Sequence, residues 1–266
     1  MKKCLAIALI ISALAYPVYA WYNIGAVGGK VASAPAGPTC SGDFSSGQNE
    51  SFEKADGEFC TTDWSETDAG SAINTYSTGW NFCGTHSVSV IFDSDSPNNY
   101  IRADLGSADA DFYLRYYFKY AALPNYYSAQ YQPRIGNDSG MGFYVNVGNN
   151  TDQSRHELVM RNNDGTWSTE YFAVVNNGEY RVELHVVGSS GTTTMELYEK
   201  NGASWDHKLS SSGGSDYEIN ITSSQTNHRY IDWLSSGTSS TPTTLYYDDV
   251  KVAISGAGYI GADTCE

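Results

Sequence analysis

The chain has 266 residues, 41% of them hydrophobic and 14% aromatic, and its 30 acidic against 15 basic side chains give a formal net charge of −15. So acidic a surface repels polyanions, which sets aside nucleic acid and anionic membrane as partners and leaves neutral glycans and divalent cations compatible with it. Acidic polysaccharides are disfavoured as well, unless a local basic groove overrides the global field.

Residues 1–20 read as a signal peptide. Lys2 and Lys3 form a short basic region, residues 4–15 are apolar, and Val18-Tyr19-Ala20 is a cleavage site. The apolar run is shorter than the roughly 20 residues a membrane helix needs, and no later segment is apolar enough, so membrane insertion is not expected. The mature chain is expected to be secreted, outside the cell or on its surface. Loss of Lys2 and Lys3 moves its net charge from −15 to −17. Residues 21–39 are rich in Gly, Ala, Val and Pro and read as an extended arm or linker. Their stretch 24–31 is apolar enough to pair with a sheet edge, its own or a neighbour's, so self-assembly through residues 21–38 is a second reading of the chain, as an extracellular structural or filament subunit.

Residues 40–266 show no repeat and suit one all-β domain. Strands are predicted over 86–92, 100–104, 112–121, 140–147, 156–161, 168–175, 179–187, 193–199, 217–222, 229–234 and 245–254. Turn clusters separate them, among them Asn163-Asp164-Gly165, Asn176-Asn177-Gly178 and Asn201-Gly202, whose residues tolerate positive φ. Many antiparallel strands at this spacing predict a β-sandwich or jelly roll. Four cysteines remain after cleavage, Cys40, Cys60, Cys83 and Cys265. An even number in an exported chain points to two disulfides with three possible connectivities, of which Cys60–Cys83 and Cys40–Cys265 are preferred.

The predicted strand at 112–121 carries the functional reading. Side chains alternate across a strand, so Phe112, Leu114, Tyr116, Phe118 and Tyr120 make a core face, and Tyr113, Arg115, Tyr117 and Lys119 make an outer face of flat rings and cationic donors. Sugar rings stack on Tyr and Trp, and their hydroxyls take hydrogen bonds from planar donors such as Arg. The carbohydrate-binding candidates are Arg115, Tyr117, Lys119, Tyr144, Arg181 and His185 on one shared sheet face, with Tyr126 and Tyr127 from a Tyr-rich loop. Trp167 and Trp205, next to turns, are second choices. The plainer alternative is that these tyrosines simply cover an outer sheet, since Tyr is a good strand former.

Ser51-Phe52-Glu53, Trp64, the strand start Gly84-Thr85-His86-Ser87-Val88, Tyr180-Arg181-Val182-Glu183, and the ending Tyr246-Tyr247-Asp248-Asp249-Val250 with Gly258-Tyr259-Ile260-Gly261 together resemble the concanavalin A-like lectin/glucanase superfamily, closest to its laminin-G-like bacterial jelly rolls. The resemblance covers roughly residues 50–261. It implies an antiparallel concanavalin A-like sandwich, and the superfamily holds lectins, binding modules, hydrolases and lyases alike. It also implies a structural calcium between the first and last strands, with Glu53 and Asp249 at matching places and Asp248 as the alternative ligand.

Catalysis has weaker support. Tyr117-Phe118-Lys119 is similar to a short motif of alginate lyases with this fold, but their R-x-E-S/T-E-L and Q-I/V-H strands are absent and the motif sits mid-chain. No E-x-D-x-E run supplies a glucanase acid pair, and no G-x-S-x-G supplies a serine nucleophile. The expectation is a non-catalytic, lectin-like protein, with lyase or hydrolase activity as a further alternative.

Overall fold

The computed structural model describes residues 49–50, 57–58, 65–67, 74–92, 99–109, 111–123, 131–137, 139–149, 156–188, 191–211, 216–235, 243–254 and 259–261, all within the unit that spans 37–266. The signal peptide and the arm at 21–39 therefore lie outside the described residues, as do Cys40, Cys60 and Cys265. Cys83 is disulfide-bonded.

The described elements are all strands: β1 (Asn49–Glu50), β2 (Gly57–Glu58), β3 (Ser65–Thr67), β4 (Asn74–Ser77), β5 (Ser87–Phe92), β6 (Asn99–Asp109), β7 (Asp111–Tyr120), β8 (Tyr131–Asn137), β9 (Gly140–Asn149), β10 (His156–Asn162), β11 (Phe172–Val174), β12 (Glu179–Val187), β13 (Thr192–Asn201), β14 (Ser204–His207), β15 (Glu218–Thr222), β16 (His228–Ser235) and β17 (Thr243–Ile254). No helix among the described residues is long and apolar enough to cross a membrane. Ten of the eleven expected strands are present, while of the one expected over 168–175 only Phe172–Val174 is strand; Glu179–Val187 matches to the residue because Tyr180, Val182, Leu184 and Val186 alternate strictly with Arg181, Glu183 and His185. Turn chemistry is also as expected, with Asn177 at φ 58°, Gly165 at 93° and Gly202 at 63°.

Two antiparallel sheets stack into a sandwich. The larger runs β14-β13-β12-β7-β17-β5-β4-β2, with β1 on β17 and β15 on β13; the seven-stranded sheet runs β11-β10-β9-β8-β16-β6-β3. The inner face of β7 buries Phe112, Leu114, Tyr116, Phe118 and Tyr120, as the alternation predicted. Facing them from the smaller sheet are Phe143, Val145, Leu158, Met160, Ile231 and Trp233.

Two irregularities shape the sandwich. Strand β8 contains Pro133, yet it lies between β9 and β16. Its pairing to β9 shifts register between Tyr131 and Arg134, and β16 pairs only with Arg134, Ile135 and Gly136, so the proline falls where no ladder bond is needed. Strand β17 gains one residue against β7 between Asp248 and Lys251, and Asp249 sits in that bulge at φ 43°. Left-handed backbone is uncommon for a side-chain-bearing residue but least so for Asp and Asn.

Candidate functional site

The expected sugar-binding face on β7 is not open. Arg115 is 1% exposed and Tyr117 0%, because three distant segments of the chain lie over them. Phe82 stacks on Tyr117 with ring centroids 3.6 Å apart and planes 6° from parallel, and Trp205 meets the same tyrosine edge-on at 5.3 Å. The segment 259–261 crosses the strands beside it. Arg115 donates to the Gly261 carbonyl at 3.0 Å, the Ile260 N–H donates to Glu183 Oε2 at 3.2 Å, and Tyr259 Oη and Thr194 Oγ1 share a hydrogen bond of 2.5 Å. The bulge at Asp249 points its carboxylate at Arg115, 2.5 Å from Nη2. Arg115 and Tyr117 are thus packing residues here, which corrects the assignment made from period-two alternation.

The other candidates on this sheet are paired to their neighbours. The Arg181 guanidinium lies 3.9 Å over the Tyr198 ring and 3.5 Å from Glu183. His185 stacks on Tyr113 at 4.3 Å and bonds Asp111 at 2.7 Å, and Lys119 reaches Glu179 at 3.3 Å. Glu183 is fully buried, and burial pushes its carboxyl up to about 7 against the lowering pull of Arg181. Glu183 on β12 faces Glu196 on β13, an acid pair that no run in the sequence announced. Glu196 borders a polar cleft of about 560 Å³ with His207, Tyr217 and Glu218, but Glu183 is closed beneath Ile260.

Of the expected calcium ligands, Asp249 is committed to Arg115, and Glu53 lies outside the described residues. Asp248 accepts the N–H groups of Phe82 at 2.7 Å, Cys83 at 3.0 Å and Asp249 at 2.8 Å. Among the described residues no group of three or more His, Cys, Asp or Glu is placed to hold a metal.

Tyr144 is separated from the rest. It belongs to β9 in the seven-stranded sheet, so the single shared face expected from sequence divides between two sheets. Tyr126 and Tyr127 lie outside the described residues. On its own sheet Tyr144 joins a row that the sequence did not reveal. Cross-strand pairing sets Trp167 against Arg161, Arg161 against Tyr144, Tyr144 against Arg134, Arg134 against Asp232, and Asp232 against Arg102. Five steps at roughly 4.8 Å make a track about 24 Å long, running across the strands. All six side chains leave the outer face, since the alternate positions Phe143, Met160, Ile135, Ile231 and Ala103 enter the core.

Packing holds this row rigid. Fully buried Asp232 takes a fork from Arg102, with Nε–Oδ1 at 2.7 Å and Nη2–Oδ2 at 2.9 Å, and further bonds from Arg134 at 2.7 and 3.2 Å. Bidentate pairs of this kind fix the guanidinium plane and hence the direction of its N–H groups. Arg102 lies over Tyr230 at 4.6 Å, and Arg161 lies over Trp167 at 5.0 Å. Tyr144 donates to Asn163 at 3.1 Å. At the Trp167 end the surface drops into a cleft of about 380 Å³ lined by Glu157, Val159, Trp167, Glu170 and Tyr171. Its wall is set by Ser168, whose Oγ accepts the Met160 N–H at 3.1 Å and donates to the Glu170 carbonyl at 2.9 Å. Trp167 remains 39% exposed.

The fold and this face define a β-sandwich jelly roll that presents one rigid aromatic and polar sheet surface. No family model matches the sequence, and no curated protein matches it. Among solved structures the chain is similar to Cip1, a cellulose-induced protein, with a TM-score of 0.55 at 11% identity over 77% of this chain and 96% of that one. Lower similarity extends to an endo-β-1,4-glucuronan lyase from the fungus Trichoderma reesei (TM-score 0.42, 12% identity, 75% and 94% covered) and to the alginate lyase AlgAT5 of polysaccharide lyase family 7 (0.43, 13%, 64% and 79%). The likeness to Cip1 establishes the shared fold.

Proposed function

We propose that this chain is a secreted, non-catalytic carbohydrate-binding jelly roll that takes a neutral polysaccharide or glycan across the outer face of its seven-stranded sheet. The row Trp167–Arg161–Tyr144–Arg134–Asp232–Arg102 carries the reading. An exposed indole offers a stacking surface to the apolar face of a sugar ring. Arginines held by a buried carboxylate offer donors of fixed direction to hydroxyls, and Glu157 and Glu170 in the adjoining cleft offer acceptors. The cleft is within the size range of small-ligand sites. The concanavalin A-like resemblance and the fold shared with a cellulose-induced protein support a glycan partner. The closed position of Glu183 favours binding over hydrolysis, since a polymer has no path to that acid pair.

The test is a panel of soluble polysaccharides and oligosaccharides, screened by titration calorimetry with and without calcium. Binding by the wild-type chain that is weakened about 10- to 100-fold in Trp167→Ala and also weakened in Arg134→Ala is the expected result. Binding left unchanged by both substitutions overturns the site, and release of soluble fragments from any polymer overturns the non-catalytic reading.

A further inference from the structure

Between the two sheets lies a cluster of polar atoms that packing alone does not explain. Tyr116 of β7, Tyr247 of β17 and Trp233 of β16 are each at most 1% exposed. Among the described residues, the hydroxyls of Tyr116 and Tyr247 and the indole Nε1 of Trp233 have no hydrogen-bond partner. The three side chains are one group. The Trp233 ring lies 5.0 Å from Tyr116 and 4.6 Å from Tyr247, and the two tyrosine rings are 6.1 Å apart. Burial, and then neighbouring tyrosine hydroxyls, hold both phenols far above their ordinary pKa, so the cluster is neutral. Phe112 and Phe118 on the same face of β7 show that a ring without a hydroxyl fits this interior.

The chemistry of these atoms names what meets them. An indole N–H only donates, whereas a phenol donates or accepts. The buried charged groups Arg115, Glu183, Asp232 and Asp248 alternate along their strands with the core residues Tyr116, Leu184, Trp233 and Tyr247 and so leave the opposite faces, and nothing in the cluster calls for an ion. The occupant must accept from Trp233, exchange hydrogen bonds with two hydroxyls, and be small enough for a sandwich interior. Buried polar groups are otherwise rarely left unpaired, and a water with two to four polar partners is the usual solution. We infer that Tyr116, Tyr247 and Trp233 enclose an internal hydration site, in which ordered water ties the larger sheet to the smaller through hydrogen bonds.

Oxygen-17 magnetic relaxation dispersion, which counts long-lived internal waters, tests the site on the full mature chain with Tyr116→Phe, Tyr247→Phe and the double variant. The expected result is that the double variant holds fewer such waters than wild type and that each single variant unfolds at a lower denaturant midpoint. An unchanged water count, or a midpoint raised by deletion of a dry hydroxyl, overturns the inference. Should the variants fail to fold, a high-resolution crystal structure of the wild-type chain decides: water within about 3.2 Å of Tyr116 Oη or Tyr247 Oη upholds the site, and dry contact between the rings removes it.

Discussion

Asp249→Asn removes one negative charge from the contact that closes the outer face of β7, and little else. Asparagine tolerates left-handed backbone about as well as aspartate, so the φ of 43° in the β17 bulge is kept. What remains is a guanidinium, 1% exposed, that has lost the carboxylate 2.5 Å from its Nη2 while Glu183 stays opposite it in the ladder. Removing one partner of a buried ion pair costs about 3–5 kcal/mol. Arg115 retains the Gly261 carbonyl at 3.0 Å and the Tyr117 ring at 5.3 Å, which places the expected loss at the low end, about 3 kcal/mol. For a domain of this size that lowers Tm by about 6–12 °C.

Urea denaturation reads it as a shift in midpoint at constant slope. A loss below about 1 kcal/mol, the value of an exposed salt bridge, would refute the reasoning. It would mean that Arg115 is hydrated and its face open after all, as alternation along the strand suggests. The double variant Arg115→Met, Asp249→Asn supplies the control. With both charges gone, most of the loss should be recovered, because the penalty belongs to the unpaired charge and not to the missing contact.

Tyr117→Ala should cost about 3–5 kcal/mol through loss of the 3.6 Å stack on Phe82, while glycan affinity stays unchanged; weaker binding at unchanged stability would return Tyr117 to the site. Trp167→Ala should raise Kd 10- to 100-fold, about 1.4–2.7 kcal/mol, and shift the unfolding free energy by less than about 1 kcal/mol since the indole is already partly exposed; calorimetry and urea curves on one preparation separate the two. In the pH dependence of stability two buried groups oppose each other. Glu183, raised by burial from 4.5 to about 7, binds a proton more tightly when folded and lowers stability as pH rises through that range. His228, lowered by burial from 6.5 to about 4, binds it more tightly when unfolded and lowers stability as pH falls through its range. Each is worth on the order of 3 kcal/mol, so their contributions nearly cancel between about pH 4.5 and 6.5; Glu183→Gln should leave stability rising with pH there and His228→Phe should leave it falling, and equal slopes in all three proteins would contradict both assignments.

Strand positions were legible because burial on one face imposes period two, and Tyr180–Val186 or Phe112–Tyr120 can satisfy it in only one way. Tyr131–Asn137 was not legible. Pro133 and Gly136 both signal a break, and only the register shift against β9 shows how the chain accommodates them. The site failed for a different reason. Alternation tells which side chains of one strand share a face, but not which strands lie beside it or what lies over it. Arg115 is covered by Gly261 and Tyr117 by Phe82, contacts between residues far apart in sequence. Tyr144 carried the right chemistry and was placed with the wrong sheet. The row it belongs to needs the registers of β10, β9, β8, β16 and β6 together, and no single segment encodes that. Trp167 stood beside a turn with little to mark it, and its importance follows from the bridge to Arg161.

The two outer faces use the same residue types, and burial decides what each can do. On the larger sheet Arg115 and Arg181 meet carboxylates and rings under other parts of the chain, so their donors face protein. On the smaller sheet Arg102 and Arg134 share one buried carboxylate while their own side chains stay 28% and 21% exposed. A ligand can reach them there, and their planes are already set. Around that row Asp232, Glu157, Glu170 and Asp104 offset Arg102, Arg134, Arg161 and Arg229, so the local charge is near balance within an acidic molecule. A polyanion gains little from such a surface, because its binding depends on net positive potential. A neutral polyol depends on donor direction and ring stacking instead, and those are what the row holds in place. The acidic composition and the arginine-rich track therefore both fit the neutral glycan proposed above.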